Sequence, residues 1–450
     1  METQVLIGKY DQRVPRYTSY PTAPHFSAAV DAACHGGWLR TLDPAVPVSL
    51  YLHVPFCDSL CLFCGCHTSV ARRVEPLVAY ATALLAEIEL VTRTIGFRPK
   101  LTHIHWGGGT PTTLPADWMA TIGGRLRENF DVAADAEIAV EVDPRTLAAE
   151  SLAALAEMRV NRASIGVQDF DPVVQRAVNR IQPYDVTAAC AARLRGIGVS
   201  SLNLDLMYGL PHQTEQSVAA TVREALGLRP DRVAVFGYAH VPWIKKHQML
   251  LPESALPGPL ERFAQRAAAE AELLAAGYVA VGLDHYALPA DTMAAAMRAG
   301  TLKRNFQGYT TDGAAALIGL GASSISALPQ GYTQNLPSVP AWRDAVRAGV
   351  LPTARGVALT AEDRLRGAVI AQLMCALQVD LLALANAHAA DPAMLLQAGP
   401  ELAAQAADGL VQWDGRVVSV TERGKPFVRA VAALFDPYFR AGTARHAATV

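Results

Sequence analysis

Six short β-type runs fall in order along roughly the first half of this 450-residue chain, at Val48–Val54, Thr102–Trp106, Glu137–Val142, Arg162–Val167, Ser201–Met207 and Arg232–Tyr238. Between them lie Ala-, Leu- and Glu-rich stretches with helical periodicity, such as Leu77–Ile95, Leu147–Met158 and Gln216–Gly227. Alternation of this kind builds parallel βαβ units. Several runs are apolar along most of their length, as parallel strands covered on both faces tend to be. The array predicts an open sheet or a partial barrel, with its chemistry at the carboxyl ends of the strands.

After the sixth run the pattern changes. Pro252–Pro259, with three prolines and a glycine, reads as a connection, and Leu260–Ala276 reads as a long helix before the polar-aromatic stretch Val281–Tyr286. From about Gly356 the chain reads as helices with one hairpin-like piece, Leu410–Thr421, carrying Asp414-Gly415 at its turn. Such a tail resembles a small helical or winged-helix-like domain. Its few basic residues and the chain's net charge of −2 argue against nucleic-acid binding. The 51% hydrophobic content comes largely from alanine, and no run approaches the ~20 apolar residues of a membrane span. The N-terminal residues lack the basic-then-apolar pattern of a secretory signal, and seven cysteines, an odd number, fit a reducing cytoplasm.

Four of those seven cysteines sit within Tyr51–His67, at Cys57, Cys61, Cys64 and Cys66. The first three have the spacing C-x3-C-x2-C just after the first strand. Thiolates are soft ligands and hold most iron–sulfur clusters. Three thiolates on a four-iron cubane leave one iron open to a small molecule, which suggests a reactive cluster. A zinc knuckle is the alternative, but zinc sites usually take a second ligand pair further along, and Cys34, Cys190 and Cys375 are scattered.

Other strand ends carry polar or flexible residues. Gly107, Gly108 and Gly109 follow the second strand, where backbone N–H groups with no Cβ in the way could approach a ligand; a tight turn is the alternative. Glu141 and Asp143 end the third strand, Gln168 and Asp169 the fourth, and Asp205 lies within the fifth. Polar groups in apolar strands are costly unless paired, so several at corresponding ends predict a polar ligand site. Arg180 is a further candidate, with a solvated helix face as the alternative.

These segments resemble a radical S-adenosylmethionine enzyme and, more narrowly, the oxygen-independent coproporphyrinogen III oxidases. The resemblance runs from about Tyr10 to Arg440 and rests on RYTSYPT (Arg16–Thr22), YLHVPFC…C..CGC (Tyr51–Cys66) and HWGGGTPT (His105–Thr112). It rests also on EVDPR (Glu141–Arg145), GVQDF (Gly166–Phe170), NLDLMYGLP (Asn203–Pro211) and NFQGYTT (Asn305–Thr311). It implies a partial (β/α)6 TIM-like barrel at 48–355, an N-terminal arm at 1–47 and a mainly helical, winged-helix-like domain at 356–450.

By the same resemblance, Cys57, Cys61 and Cys64 would ligate a [4Fe–4S] cluster, with Cys66 not a ligand. Tyr51, Gly108, Glu141 and Ile325 would bind a first S-adenosyl-L-methionine. Phe63, Gly109, Thr110, Gln168, Arg180, Asp205 and Ala239 would bind a second. The implied reaction converts two of the four propionates of coproporphyrinogen III to vinyl groups through a 5′-deoxyadenosyl radical, giving protoporphyrinogen IX. Arg13, Arg16, Lys303 and Arg304 flank the distinguishing segments and are candidates for the substrate carboxylates. The implied protein is a cytoplasmic monomer that draws electrons from a reductant such as flavodoxin or ferredoxin. RYTSYPT would fold over the barrel mouth and shut out solvent. Related functions are a haem-binding chaperone, a branch that lacks RYTSYPT, and a haem-ring-opening methyltransferase.

Overall fold

In the computed structural model, which describes residues 3–439, the six runs become strands β1 (Val48–Val54), β2 (Lys100–Gly108), β3 (Asp131–Val142), β4 (Arg162–Gln168), β5 (Ser201–Tyr208) and β6 (Arg232–Gly237). Each pairs in parallel with the next. The connections contain α1 (Val74–Ile95), α2 (Ala116–Asn129), α3 (Ala149–Glu157), α4 (Tyr184–Gly196) and α5 (Glu215–Gly227), and α6 (Pro259–Ala275) follows β6. In β4 and β5 burial alternates strictly. Leu202, Leu204 and Leu206 are buried, while Asn203, Asp205 and Met207 are half-buried. A period of two puts one apolar face against the core and gathers the polar side chains on the other. These two strands are therefore not apolar on both faces.

The sheet is larger than six strands. It adds β7 (Val279–Val281), β8 (His285–Ala287), β9 (Ala316–Leu320), β10 (Ile325–Leu328), β11 (Gly331–Asn335) and β12 (Thr353–Ala358). The order is β12-β11-β10-β9-β1-β2-β3-β4-β5-β6-β8-β7. β9 runs parallel to β1, and β10 to β12 add an antiparallel extension. The two outer strands stay unpaired to one another, so this is a partial barrel, as the resemblance implied. β12 crosses the expected boundary between 355 and 356, and residues 440–450 of the expected last domain lie outside the described residues.

Two main apolar cores result. The larger fills the sheet–helix layer, with Leu50, Leu52, Leu84, Trp106 and Trp342 among its most enclosed members. The smaller belongs to the C-terminal domain and includes Leu365, Leu373, Leu402, Phe427 and Phe435. Its hairpin, Val411–Trp413 with Val417–Val420, turns through Gly415 at φ +90° and pairs with Gln378–Asp380 in a three-stranded sheet. The arm joins this second core: Leu6, Ile7, Tyr10, Tyr17 and Tyr20 are buried in it. Tyr17 donates its hydroxyl to Asp436 at 3.1 Å, and Tyr10 binds Asp408. Two residues of RYTSYPT, Tyr17 and Tyr20, are thus part of a domain core, while Arg16 reaches the end of β6.

Candidate cofactor-binding site

β1 delivers the chain through Pro55 and Phe56 into the cysteine loop, where Cys61 is buried, Cys57 and Cys64 are half-buried and Cys66 is exposed. A pocket of about 840 Å³, including its open mouth, lies at the carboxyl ends of β2 to β5. It is lined by Cys57, Cys61, Phe63, Cys64, Gly108, Gly109, Thr110, Glu141, Gln168, Arg180 and Asp205, all candidates from the sequence, with Cys66, Asp143, Arg145 and Ser164 beside them.

Three N–H groups at the end of β2 are engaged within the protein. The N–H of Gly108 donates to Glu141 Oε2 at 3.0 Å, that of Gly109 to Val54 O at 2.9 Å and that of Thr110 to Phe56 O at 2.7 Å. None is left for a ligand. Gly108 instead has φ +111°, and a Cβ there would lie 2.5 Å from His53 Cε1; one on Gly109 would lie 2.5 Å from the Phe56 carbonyl oxygen. The glycines let the end of β2 lie directly against the cysteine loop.

The charged residues form two sets. Burial alone would raise the Glu141 carboxyl, but His105 Nε2, 3.2 Å from Oε1, and the Gly108 N–H more than offset this and hold it below the usual carboxylate range. Asp143 is likewise held low against burial, by Arg145 at 2.6 Å and Arg180 at 3.2 Å. Asp205 goes the other way. Burial raises it, and hydrogen bonds from Ser164 (2.7 Å) and Asn203 (2.8 Å) offset only part of that. Arg180 is 6% exposed, so it is not on a solvated helix face. Its Nη2 reaches Gly166 O at 2.7 Å, its Nη1 reaches Cys61 Sγ at 3.5 Å, and its buried Nε has no acceptor among the described residues.

The remaining candidates are placed elsewhere. Tyr51 is hydrogen-bonded to His53 Nδ1 at 2.9 Å and stacks on His105. Ile325 opens β10, and Ala239 offers its carbonyl to Gln248 at 3.2 Å. None of these three lines the pocket. Arg13 stacks over Trp243 at 5.1 Å, and exposed Lys303 binds Gly313 O at 3.2 Å. Arg16 and Arg304 meet, Arg304 Nη2 to Arg16 O at 3.4 Å, in a second pocket.

One supporting group had no signal in the sequence. Lys245 Nζ binds Cys66 O at 2.7 Å, His247 Nε2 binds Cys64 O at 2.8 Å, and Gln248 Nε2 binds Phe63 O at 3.0 Å. This segment follows β6, far from the cysteines in the chain, so only the folded structure reveals that it holds their loop.

The donor set fits an iron–sulfur group better than a single ion. Three thiols beside a ligand-sized pocket suit a larger group with a small molecule next to it.

Comparison with known proteins agrees. The chain matches the Radical SAM superfamily over residues 51–225 and the HemN C-terminal domain over residues 359–427. It is 48% identical to an oxygen-independent coproporphyrinogen III oxidase of Bradyrhizobium diazoefficiens, over 100% of both chains. It is 41% identical to that of Escherichia coli, over 97% of this chain and 95% of the relative. The chain belongs to the oxygen-independent coproporphyrinogen III oxidase family. The solved E. coli coproporphyrinogen III oxidase HemN, a radical SAM enzyme, superposes with a TM-score of 0.89 at 38% identity, covering 95% of this chain and 100% of that one. The family's superfamily match runs from Tyr51 through most of α5 and so contains most of the pocket. Among the described residues no helix is long and apolar enough to cross a membrane.

Proposed function

We infer that this chain catalyses the oxygen-independent oxidative decarboxylation of coproporphyrinogen III to protoporphyrinogen IX, using a [4Fe–4S] cluster and S-adenosylmethionine. The observation that carries this is a coincidence. Full-length identity of 48% to an enzyme of that name accompanies a single pocket gathering three cysteines, Glu141, Arg180 and Asp205. Cys57, Cys61 and Cys64 would hold the cluster. When bound, the reduced cluster and S-adenosylmethionine supply a carbon-centred radical that removes hydrogen from a propionate side chain.

The protein's own part is to bind, orient and exclude. Glu141, kept ionised by His105, is a suitable acceptor for the ammonium end of S-adenosylmethionine. Arg180 and Arg145 share Asp143, and Arg180 keeps a buried N–H for a further acceptor. Asp205 is fixed by Ser164 and Asn203 across the lumen from the cysteine loop's end of the pocket, where a second S-adenosylmethionine would use it with Gln168 and Arg180. The apolar faces of β4 and β5 seal the outer wall against water. Electrons would come from a reductant such as flavodoxin or ferredoxin.

The test is anaerobic turnover of coproporphyrinogen III with S-adenosylmethionine and a reductant. Vinyl product with 5′-deoxyadenosine is expected, and cofactor cleavage with no vinyl product overturns the reading. Haem offered in place of the substrate distinguishes the related functions: stable binding marks a chaperone and ring opening a methyltransferase.

A further inference from the structure

A cleft open to solvent adjoins the cofactor pocket. Ser59, Leu60, Ser69 and Val70 line both, so a single layer of chain separates the two. That layer includes the short parallel ribbon in which Phe56–Cys57 pairs with Ser69–Val70. Val70 is the register partner of Cys57, and the Ala71 N–H donates to Cys57 O at 3.0 Å. Val70, at the surface of the cleft, thus sits one strand spacing, roughly 5 Å, from the backbone of a proposed cluster ligand.

The cysteine loop is covered unevenly. Lys245, His247 and Gln248 hold it at Cys66, Cys64 and Phe63. On the cleft side Asn179 Nδ2 fixes the rim by donating to Leu60 O at 2.7 Å, but Ser69 and Val70 are exposed. The lining of the cleft holds Arg72 and Arg73 and no carboxylate. Both arginines are exposed, and neither side chain has a hydrogen bond or ion pair among the described residues. Val70 and Val74 are 40% and 54% exposed. Exposed Asp58 and Glu75 are close in sequence but lie outside the lining. Apolar side chains beside unpaired cations suit a transient interface with an anionic partner.

We propose that this cleft is where the reductant docks, and that the reductant is a small one-electron carrier protein with an acidic face. The need for a reductant rests on the function inferred above. An electron crosses protein efficiently only over short distances, so a carrier has to seat close to the thiols. Docking here leaves one layer of chain between the carrier and the cofactor pocket. One electron would pass from the carrier to the bound cluster, the carrier being oxidised as the cluster is reduced. Electron-transfer encounters bury little surface, below about 1,200 Å². Their rate depends on opposite charges drawing the partners together. A small patch of two arginines and two valines matches both requirements.

The test uses anaerobic, cluster-loaded protein without S-adenosylmethionine or substrate. A flavodoxin and a ferredoxin of acidic pI are the protein reductants, and dithionite is the small-molecule control. Carrier binding is read as a Kd by calorimetry, and cluster reduction as bleaching of visible absorption. Raising salt from about 0.05 to 0.3 M is expected to weaken carrier binding to the unsubstituted protein. Arg72→Glu and Arg73→Glu are each expected to raise the carrier Kd and lower its reduction rate by about tenfold, with the dithionite rate kept within twofold. Arg298→Glu, on the helix Thr292–Arg298 after β8, controls for net charge and is expected to change neither. Carrier binding within twofold of the unsubstituted protein in both cleft variants overturns the proposal, as does an equal loss in Arg298→Glu or no carrier binding to the unsubstituted protein. A dimer in sedimentation that Arg72→Glu breaks assigns the cleft to a second copy and also overturns it. Where a variant fails to fold, judged by iron content and melting temperature, the unsubstituted protein decides. The carrier is expected to shield Arg72 and Arg73 from phenylglyoxal, read by peptide mass, and no shielding overturns the proposal. Turnover of coproporphyrinogen III with dithionite is measured separately. Turnover with no arginine effect on the carrier removes only the docking face, and arginine-dependent carrier binding without turnover removes only the inferred reaction.

Discussion

Cys64 and Cys66 show how two neighbouring thiols become different. The thiol of Cys66 hydrogen-bonds Cys64, and this, with Lys245 and His247 nearby, pulls the Cys64 pKa down against burial; the same bond pushes Cys66 up. Cys57, Cys61 and Cys64 are the cluster ligands proposed above, and Cys66 is not among them. Serine at Cys57, Cys61 or Cys64 is therefore expected to abolish the cluster, and serine at Cys66 to leave it, both read by iron content and visible absorption. A second residue-scale expectation concerns Glu87, which is 1% exposed and accepts from Asn335 Nδ2 and from the Gly321 N–H, each at 2.6 Å. Burial raises its pKa from 4.5 to about 7. The folded state then binds more protons than the unfolded one between those values. Its contribution is fully present below pH 4.5 and is lost as pH rises through 7, by roughly 3 kcal/mol. Denaturant unfolding of Glu87→Gln should lack that part of the slope. If the two proteins give parallel pH profiles, Glu87 does not titrate as described.

At the scale of elements, the segment Val241–Leu250 acts as a brace. Its Lys245, His247 and Gln248 side chains hold three carbonyls of the cysteine loop. Replacing His247 and Gln248 together by alanine should leave a loop that still takes up iron but loses it several-fold faster to a chelator; an unchanged rate would mean the brace is idle. This brace also marks where sequence reading stops. β1 to β6 and the helices between them were legible because periods of two and 3.6 are local properties of consecutive residues. The cysteines were legible because three of them fall within one short loop. β9 was not: its ALIGL is buried at every position and lies in a stretch of small residues with no alternation to read. The brace was not either, since its contacts join residues 179 to 185 positions apart. The glycines after β2 were noticed, but sequence shows the freedom of a glycine and not which acceptor its N–H will meet.

For the whole molecule, the arm binds the two ends of the chain into one core. Cutting away residues 1–22 removes Leu6, Ile7, Tyr10, Tyr17 and Tyr20 from the C-terminal domain. Such a truncation should lower the melting temperature and expose apolar surface to a hydrophobic dye, so lost activity would not by itself mark a lid. A milder change, Tyr17→Phe, removes only the bond to Asp436 and should cost about 1 kcal/mol in denaturant unfolding. A cost near zero would mean that bond contributes nothing net. The arm's placement also has a consequence for the newly made chain. Tyr10 and Tyr17 find their partners 398 and 419 positions later. These apolar residues therefore leave the ribosome long before they can be covered. At about 5–20 residues per second, they stay open for on the order of twenty seconds or more, while the barrel between them is already able to form. For that interval the nascent chain carries an uncovered greasy segment, on which a chaperone could act.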